Sequence, residues 1–138
     1  MSTRLVHVEP EATVLTAIRR MAEAEVGSVA VCDGSRLVGI FTERDVLRLA
    51  GEAAALDQVR VADAMTRQVI TVSADTDLLS AARLMGERKV RHLPVVEGDN
   101  LLGMIGIRDV LAALAERLWR SRDEDVHETV HELLARRR

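Results

Sequence analysis

The apolar residues at the start of the chain change their spacing from one short segment to the next. An alternating stretch over Val6 to Val8 predicts a strand, and Thr13 is a typical N-cap for the helix that follows. Two β-rich runs, Val29 to Cys32 and Leu37 to Phe41, flank a turn-forming stretch and predict a hairpin. Thr42 then follows the last strand and caps another helix. The apolar residues of the first helix recur at helical spacing, at Val14, Ala17, Ile18 and Met21.

The same succession of patterns returns later in the chain. Val6 to Arg48 overlays Ile70 to Ala112 without a gap, and 15 of the 43 aligned pairs are identical. Asp77 replaces the capping threonine, and the second hairpin is expected to pair Leu93 to Val96 with Leu101 to Ile105. The apolar face of its first helix consists of Leu78, Ala81, Ala82 and Met85. The sequence therefore indicates an internal duplication.

The duplication predicts an α+β fold of two tandem β-α-β-β-α repeats related by a pseudo-twofold axis, followed by a C-terminal helical extension. We expect the first repeat over residues 1–50, a linker over 51–64, the second repeat over 65–115 and a C-terminal helix over 116–138. At the end of the linker, Val61 to Met65 is expected to form a short helical turn that leads into Thr66. Each repeat alone is too short to bury its apolar faces well, so we expect one globule with the two sheets facing a shared cleft.

Composition and charge narrow the class of protein. The chain has 138 residues, 48% of them hydrophobic, a net charge of −3 and a pI near 5.8, so it has no general electrostatic attraction to nucleic acid or membrane. Phe41 and Trp119 are its aromatic residues, too few to stack single-stranded bases. Cys32 is the single cysteine and excludes an internal disulfide, and no apolar stretch approaches the roughly 18 residues of a membrane span. We therefore expect a soluble protein of the cytoplasm.

The strongest chemical pattern lies where the two copies agree best. Gly39 to Asp45 overlays Gly103 to Asp109, and in both copies a strand ends at a turn that carries an acid at the start of a helix. In the first copy, Thr42 and Asp45 combine a hydroxyl with a carboxylate at a helix N-terminus, where free N–H groups favour an anion. A carboxylate also accepts hydrogen bonds from sugar hydroxyls. Gly106 replaces the hydroxyl residue in the second copy, so a second site is less well supported, and the alternative is that both acids only cap helices.

These features together resemble a pair of cystathionine-β-synthase (CBS) domains, known as a Bateman module. The resemblance rests on the duplication, on the lead-in Val61-Ala62-Asp63-Ala64-Met65-Thr66, on the strand His92-Leu93-Pro94-Val95-Val96 and on the turn from Gly39 to Asp45. It covers residues 1 to about 115. It implies a non-catalytic regulatory module that binds AMP, ADP, ATP or S-adenosylmethionine in the cleft between the repeats, forms a homodimer and acts on a separate effector protein. The family also contains pairs without a known ligand.

The resemblance also implies roles for individual residues. Asp45 and Asp109 match the ribose-binding position of the family, and Thr42 matches its phosphate-binding hydroxyl. The segment Thr66 to Val69 would line the Asp45 site, and its last residue would offer backbone contacts to adenine. The basic pair Arg91–His92 would face phosphates. The expected ligand-binding set is Thr42, Arg44, Asp45, Thr66, Gln68, Val69, Arg91, His92, Arg108 and Asp109, with no catalytic residue and no cofactor beyond the regulatory ligand.

A rival motif lies near the C-terminus. His127-Glu128-Thr129-Val130-His131 matches H-E-x-x-H, which on a helix can bind zinc between His127 and His131. No downstream residue on a separate element completes the ligand set, although upstream ligands stay possible. A charged helix that starts at the Ser121-x-x-Glu124 capping box and ends in a solvated basic terminus, Arg136 to Arg138, is therefore favoured. The apolar face of this helix would consist of Val126, Val130, Leu133 and Leu134.

Apolar side chains on the helices after Asp45 and Asp109 predict a homodimer, because they exceed what a small monomer needs to expose. Trp119 either anchors a partner or packs within the chain. Three functional classes follow: a nucleotide sensor, a ligand-free dimerisation module, and a zinc enzyme built on the terminal helix. The apolar residues expected at the dimer contact are Val46, Leu47, Val110, Leu111 and Leu114.

Overall fold

The structure is a computed structural model that describes residues 5–120 and 129–136. The chain divides into two compact units. Of the described residues, unit 1 comprises 5–69 together with 99–101, and unit 2 comprises 70–98, 102–120 and 129–136. Within the described ranges, every helix is too short or too polar to traverse a lipid bilayer.

Unit 1 contains the first repeat and the short helix that follows it. Its elements are β1 (His7–Val8), α1 (Val14–Ala24), β2 (Ser28–Asp33), β3 (Arg36–Thr42), α2 (Glu43–Gly51) and α3 (Val61–Ala64). β1 runs parallel to β2, and β2 forms an antiparallel hairpin with β3. Gly34 closes the hairpin turn with a φ of 65°, a left-handed conformation that favours glycine. Residues 99–101 join this unit through backbone hydrogen bonds, one of them from the Leu37 N–H to the Asp99 carbonyl at 3.0 Å.

Helix α1 begins and ends at residues that satisfy its free backbone groups. The Thr13 side chain accepts a hydrogen bond from the Thr16 N–H at 3.1 Å, as the sequence predicts for an N-cap. At the other end, Glu25 is left-handed and the Val26 N–H donates to the Met21 carbonyl at 3.0 Å, which terminates the helix. The apolar face of α1 enters a core whose fully buried members include Val8, Val14, Ala17, Val29, Val31, Phe41 and Val61.

Unit 2 follows the same order of elements. They are α4 (Leu78–Arg88), β4 (His92–Glu97), β5 (Asn100–Gly106, from Leu102 onward in this unit), α5 (Ile107–Arg120) and α6 (Val130–Arg136). The Asp77 carboxylate accepts a hydrogen bond from the Ser80 N–H at 2.8 Å and caps α4, as predicted. β4 and β5 are neighbouring strands. The fully buried core residues are Leu78, Ala81, Leu93, Val95, Ile105, Val110 and Val130.

The two units repeat in register at the level of individual backbone contacts. Val8 pairs in parallel with Val31 in unit 1, and the corresponding Val72 pairs in parallel with Val95 in unit 2. The first N–H of α2, from Glu43, donates to the Gly27 carbonyl at 3.1 Å, and the first N–H of α5, from Ile107, donates to the Arg91 carbonyl at 2.8 Å. This agreement confirms the predicted α+β fold of tandem repeats.

The predicted apolar surface is only partly correct. Val110 is fully buried in the core of unit 2, because α5 turns that side chain inward, so its expected place in a dimer contact is wrong. Val46 and Leu114 are half-buried and pack against the cores of their own units. Leu47 and Leu111 are exposed, with 75% and 54% of their surface accessible. The predicted capping box at Ser121 and Glu124, and Val126 with it, lies outside the described residues.

Candidate functional site

The site in unit 1 starts where β3 passes into α2. Thr42 has an extended backbone, with φ of −126° and ψ of 170°, and is the N-cap of α2. Both the N–H and the hydroxyl of Thr42 donate to Asp45 Oδ2, at 2.9 Å and 3.3 Å. This pairing satisfies one free donor of the helix start and fixes the carboxylate. Only 7% of the Asp45 surface is accessible, which is unusual for a carboxylate unless it is paired.

Arg48 is a further member of this site that sequence reasoning missed. Its Nη2 donates to the Ala64 carbonyl at 3.0 Å and lies 3.5 Å from Asp45 Oδ1, while Nη1 lies 3.7 Å from Glu52 Oε2. Arg48 therefore joins the carboxylate at the start of α2 to the last residue of α3. The available signal was the Asp45-x-x-Arg48 spacing, which the second repeat lacks because Ala112 stands at the matching position.

The chain after α3 lies directly against β3. The Thr66 N–H donates to the Ile40 carbonyl at 2.9 Å, and the Ile40 N–H donates to the Thr66 carbonyl at 3.0 Å. Gly39 makes this approach possible, because a Cβ there would lie 2.5 Å from Met65 Sδ and 2.9 Å from the Thr66 carbonyl oxygen. Thr66 is thus held beside the strand two residues before Thr42.

The other residues expected in this site surround it less tightly. Arg44 is exposed on the first turn of α2, next to Asp45. Gln68 is exposed, and Val69 is half-buried with its N–H donating to the Arg67 carbonyl at 3.0 Å. The structure therefore brings Thr42 and Asp45 into direct contact and leaves Arg44 and Gln68 in solvent.

The corresponding residues of unit 2 meet around Gly106. A Cβ at Gly106 would lie 3.6 Å from His92 Cδ2, 3.8 Å from the Arg91 carbonyl oxygen and 3.8 Å from Asp109 Oδ2, all ordinary contact distances. His92 and Asp109 are half-buried, whereas Arg91 is exposed. Arg108 is exposed on the first turn of α5. The ten predicted ligand-binding residues therefore form two groups, one in each unit.

The arrangement in unit 1 suits a ligand with hydroxyls and an anionic group. The Asp45 carboxylate is a pure acceptor, and the start of α2 provides the positive end of the helix dipole beside it. Among the described residues, no group of three or more His, Cys, Asp or Glu side chains is arranged to hold a metal ion. His131 is exposed, while His127 and Glu128 of the H-E-x-x-H motif lie outside the described residues.

Cys32 does not take part in this chemistry. It is buried in β2, and desolvation raises the pKa of its thiol above the ordinary value. A thiol of raised pKa is a poor nucleophile at neutral pH, so the position is structural.

Comparison with known proteins agrees with the duplicated fold. The family model for the CBS domain matches residues 1–52 and 61–116. A mitochondrial CBS domain-containing protein of Arabidopsis thaliana is 35% identical over 108 residues, which cover 74% of this chain and 52% of the relative. The chain thus spans about half the length of this curated relative.

Solved structures give the same assignment. A CBS-domain-containing protein from Agrobacterium tumefaciens is 34% identical with a TM-score of 0.74, over 80% of this chain and 89% of that chain. A CBS domain protein from Pyrobaculum aerophilum, complexed with AMP, is 27% identical with a TM-score of 0.72, over 80% and 91% of the two chains. The family match covers both repeats, and the backbone register of the two units agrees with it. The chain therefore belongs to the CBS domain family, as a tandem CBS pair.

Proposed function

We propose that this protein is a non-catalytic sensor that binds an adenosine nucleotide chiefly in unit 1 and reports its occupancy to a separate effector protein. The observation that carries the proposal is the Asp45 carboxylate, buried at the start of α2 and fixed by both donors of Thr42. A carboxylate held in this way costs free energy to desolvate. A polar ligand that supplies further donors offsets that cost.

Ribose is the part of the ligand that Asp45 would bind. Oδ2 already accepts two hydrogen bonds from Thr42, while the nearest donor to Oδ1 is Arg48 at 3.5 Å, a long contact. The two vicinal hydroxyls of a ribose are donors at the spacing of the two oxygens of one carboxylate. They can therefore complete the hydrogen bonding of Asp45 Oδ1. The α2 N-terminus, with Thr42 and the exposed Arg44, would hold the phosphate.

Adenine would lie against the segment from Thr66 to Val69. This segment is held on β3 by the paired hydrogen bonds between Thr66 and Ile40, so it presents its backbone from a fixed place. The AMP complex of the Pyrobaculum aerophilum relative supports a nucleotide as the ligand class. AMP, ADP, ATP and S-adenosylmethionine are the candidates.

Unit 2 is the weaker candidate site. Gly106 supplies no hydroxyl to Asp109, and Ala112 supplies no cation in the place of Arg48. His92 and the Arg91 carbonyl lie beside Gly106, and the exposed Arg91 side chain provides a positive charge that unit 1 lacks at Gly27. We therefore expect phosphate groups to be the part of a ligand that unit 2 holds best, with ribose held less well.

Output is proposed to pass through a homodimer. Among the described residues, large apolar side chains are exposed on α2 at Leu47 and on α5 at Leu111, Leu118 and Trp119, of which Trp119 has 89% of its surface accessible. These side chains favour self-association or an effector contact over a free monomer. They also support the second candidate function, a dimerisation module without a physiological ligand. The single buried cysteine fits the reducing cytoplasm as the compartment.

Titration calorimetry with the four candidate ligands separates the two functions. A bound ligand at a hundredfold excess over its Kd should add about 2.7 kcal/mol to the free energy of unfolding, which is visible as a thermal shift. Asp45→Ala should weaken this binding, and its matched control is Asp57→Ala, which removes an exposed carboxylate elsewhere in unit 1. If no adenosine compound gives heat or a thermal shift at millimolar concentration, the sensor function is wrong and the dimerisation module replaces it.

A further inference from the structure

The segment from Thr129 to Leu134 is anchored to unit 2 by its backbone. The Val130 N–H donates to the Thr76 carbonyl at 2.8 Å, and the His131 N–H donates to the Ala74 carbonyl at 2.9 Å. Thr129 also forms an antiparallel bridge with Asp77, the N-cap of α4. The start of α6 is therefore fixed against the turn that precedes α4.

Unit 1 contains the same set of contacts, made by a different part of the chain. The Val61 N–H donates to the Ala12 carbonyl at 2.8 Å, and the Ala62 N–H donates to the Pro10 carbonyl at 3.0 Å. Arg60 forms an antiparallel bridge with Thr13, the N-cap of α1. The acceptors in unit 2 are the residues that the repeat overlay matches to these: Ala74 with Pro10, Thr76 with Ala12 and Asp77 with Thr13.

The side chains of the two segments occupy matching places as well. Val61 and Val130 are fully buried, each in the core of its own unit. At the end of the segment in unit 1, Met65 lies against Gly39, as described above. In unit 2, Leu134 lies against the matching glycine, Gly103, whose Cβ would be 3.1 Å from Leu134 Cδ2 and 3.2 Å from Cδ1.

We propose that Thr129 to Leu134 is the lead-in element of unit 2, the counterpart of Arg60 to Met65 in unit 1. In this role Leu134 is a positioning residue: by packing on Gly103 it fixes β5, the strand that leads through Gly106 into the helix that carries Asp109. The terminal helix α6 then belongs to the second repeat. His131 is exposed, and Glu132 lies 3.8 Å from Arg117 of α5.

The two lead-in elements differ at their ends, which predicts how strongly each unit depends on its last apolar residue. After Met65 the chain becomes extended, and Thr66 adds two backbone hydrogen bonds to β3 at Ile40. After Leu134 the helix continues to Arg136. The lead-in of unit 2 therefore acts on β5 through the Leu134 side chain, whereas that of unit 1 acts through Met65 and the backbone together.

Hydrogen exchange of backbone amides tests this proposal on the whole chain without any nucleotide. Leu134→Ala should raise exchange at residues 103–109 by at least about tenfold and leave residues 39–45 unchanged, since the contact it removes lies within unit 2. Leu134→Met, which copies the side chain of unit 1, should restore wild-type protection. His131→Ala on the exposed face of the same helix is the matched control and should change nothing.

The proposal is overturned if Leu134→Ala leaves residues 103–109 protected, if protection falls equally in residues 39–45, or if Leu134→Met protects no better than Leu134→Ala. Should Leu134→Ala fail to fold, Leu134→Val takes its place. The proposal then requires a smaller loss of amide protection at residues 103–109 for Leu134→Val. One part of the proposal, that Leu134 positions a ligand-binding residue through β5, rests on the proposed function, because it assumes that Asp109 belongs to a ligand site. Failure of nucleotide binding would remove that part and leave the exchange result to decide the role of Leu134.

Discussion

Helices α2 and α5 start in the same way, but the acids in their first turns have different surroundings. Asp45 in unit 1 accepts both donors of Thr42 and contacts Arg48. Asp109 in unit 2 lies beside Gly106, with Ala112 at the place of the arginine. The backbone hydrogen bonds that start both helices are nevertheless the same.

This contrast shows that backbone geometry and site chemistry diverge separately after a duplication. The strand register and the hydrogen bond of the first helical N–H depend on main-chain atoms. They are therefore the same in both units, although unit 1 has Thr42 where unit 2 has Gly106. The hydroxyl and the guanidinium are side-chain groups, and one substitution removes each of them. A repeated fold therefore does not imply a repeated ligand site.

The largest expected effect comes from removing one acid at a time. Asp45→Ala should weaken nucleotide binding by about 10- to 150-fold, because a lost hydrogen bond to a charged group costs about 1.5–3 kcal/mol. Asp109→Ala should weaken it less. Calorimetry on both variants measures the difference, and a larger loss for Asp109→Ala would keep the nucleotide sensor but reverse the choice of unit.

Gly39 and Gly103, which each lie against the end of a lead-in element, provide the next comparison. Gly39→Ala should lower the free energy of unfolding by about 1–3 kcal/mol, because its Cβ would meet the Thr66 carbonyl oxygen at 2.9 Å. Gly103→Ala should cost less than about 1 kcal/mol, since its nearest neighbours are methyl groups of Leu134, which can shift. Urea unfolding of both variants measures the costs. Equal costs would contradict the difference between the two lead-in ends.

A gain of function can sharpen the same contrast. Gly106→Thr adds a Cβ whose nearest atoms lie at 3.6–3.8 Å, which are ordinary contact distances, and it would introduce a hydroxyl near Asp109. We expect a gain of about 0.5–1.5 kcal/mol in the free energy of nucleotide binding to unit 2, the value of one hydrogen bond. Calorimetry in an Asp45→Ala background isolates that unit. Gly106→Ala is the control, and a gain from Gly106→Ala as large as from Gly106→Thr would contradict the role of the hydroxyl.

Arg48 should have the smallest effect on stability. Arg48→Ala should lower the free energy of unfolding by about 0.5 kcal/mol, because its bond to the Ala64 carbonyl is lost from a side chain that is 46% accessible. Arg19→Ala, on the exposed face of α1, is the control and should be neutral. Chemical unfolding of both variants checks this, and equal losses would show that the link to α3 adds nothing.

Local features of the sequence predicted most of the fold and the contact between Thr42 and Asp45 in the candidate site. The caps at Thr13 and Asp77 and the contact of Thr42 with Asp45 were predictable, because their partners lie three residues away and depend on residue type. The spacing of apolar residues in the helices and strands is the same in both copies. Each element assigned in one copy therefore supported the assignment of its counterpart in the other.

Long-range docking accounts for what the sequence did not predict. The Arg48 bond to Ala64 depends on where α3 settles, sixteen residues along the chain. The lead-in role of Thr129 to Leu134 was hidden because Val130 is its only identity with Arg60 to Met65. Val110 was placed on the surface wrongly, since periodicity defines an apolar face without saying what covers it.

A titration with AMP followed by backbone amide chemical shifts tests the central claim most directly, because it reports each unit separately. We predict that the earliest and largest shifts occur at residues 42–45 and 66–69, and that residues 91–92 and 106–109 respond only at higher AMP concentration. Shifts that appear first at residues 106–109, or no shifts at millimolar AMP, would contradict the assignment of the principal site to Asp45.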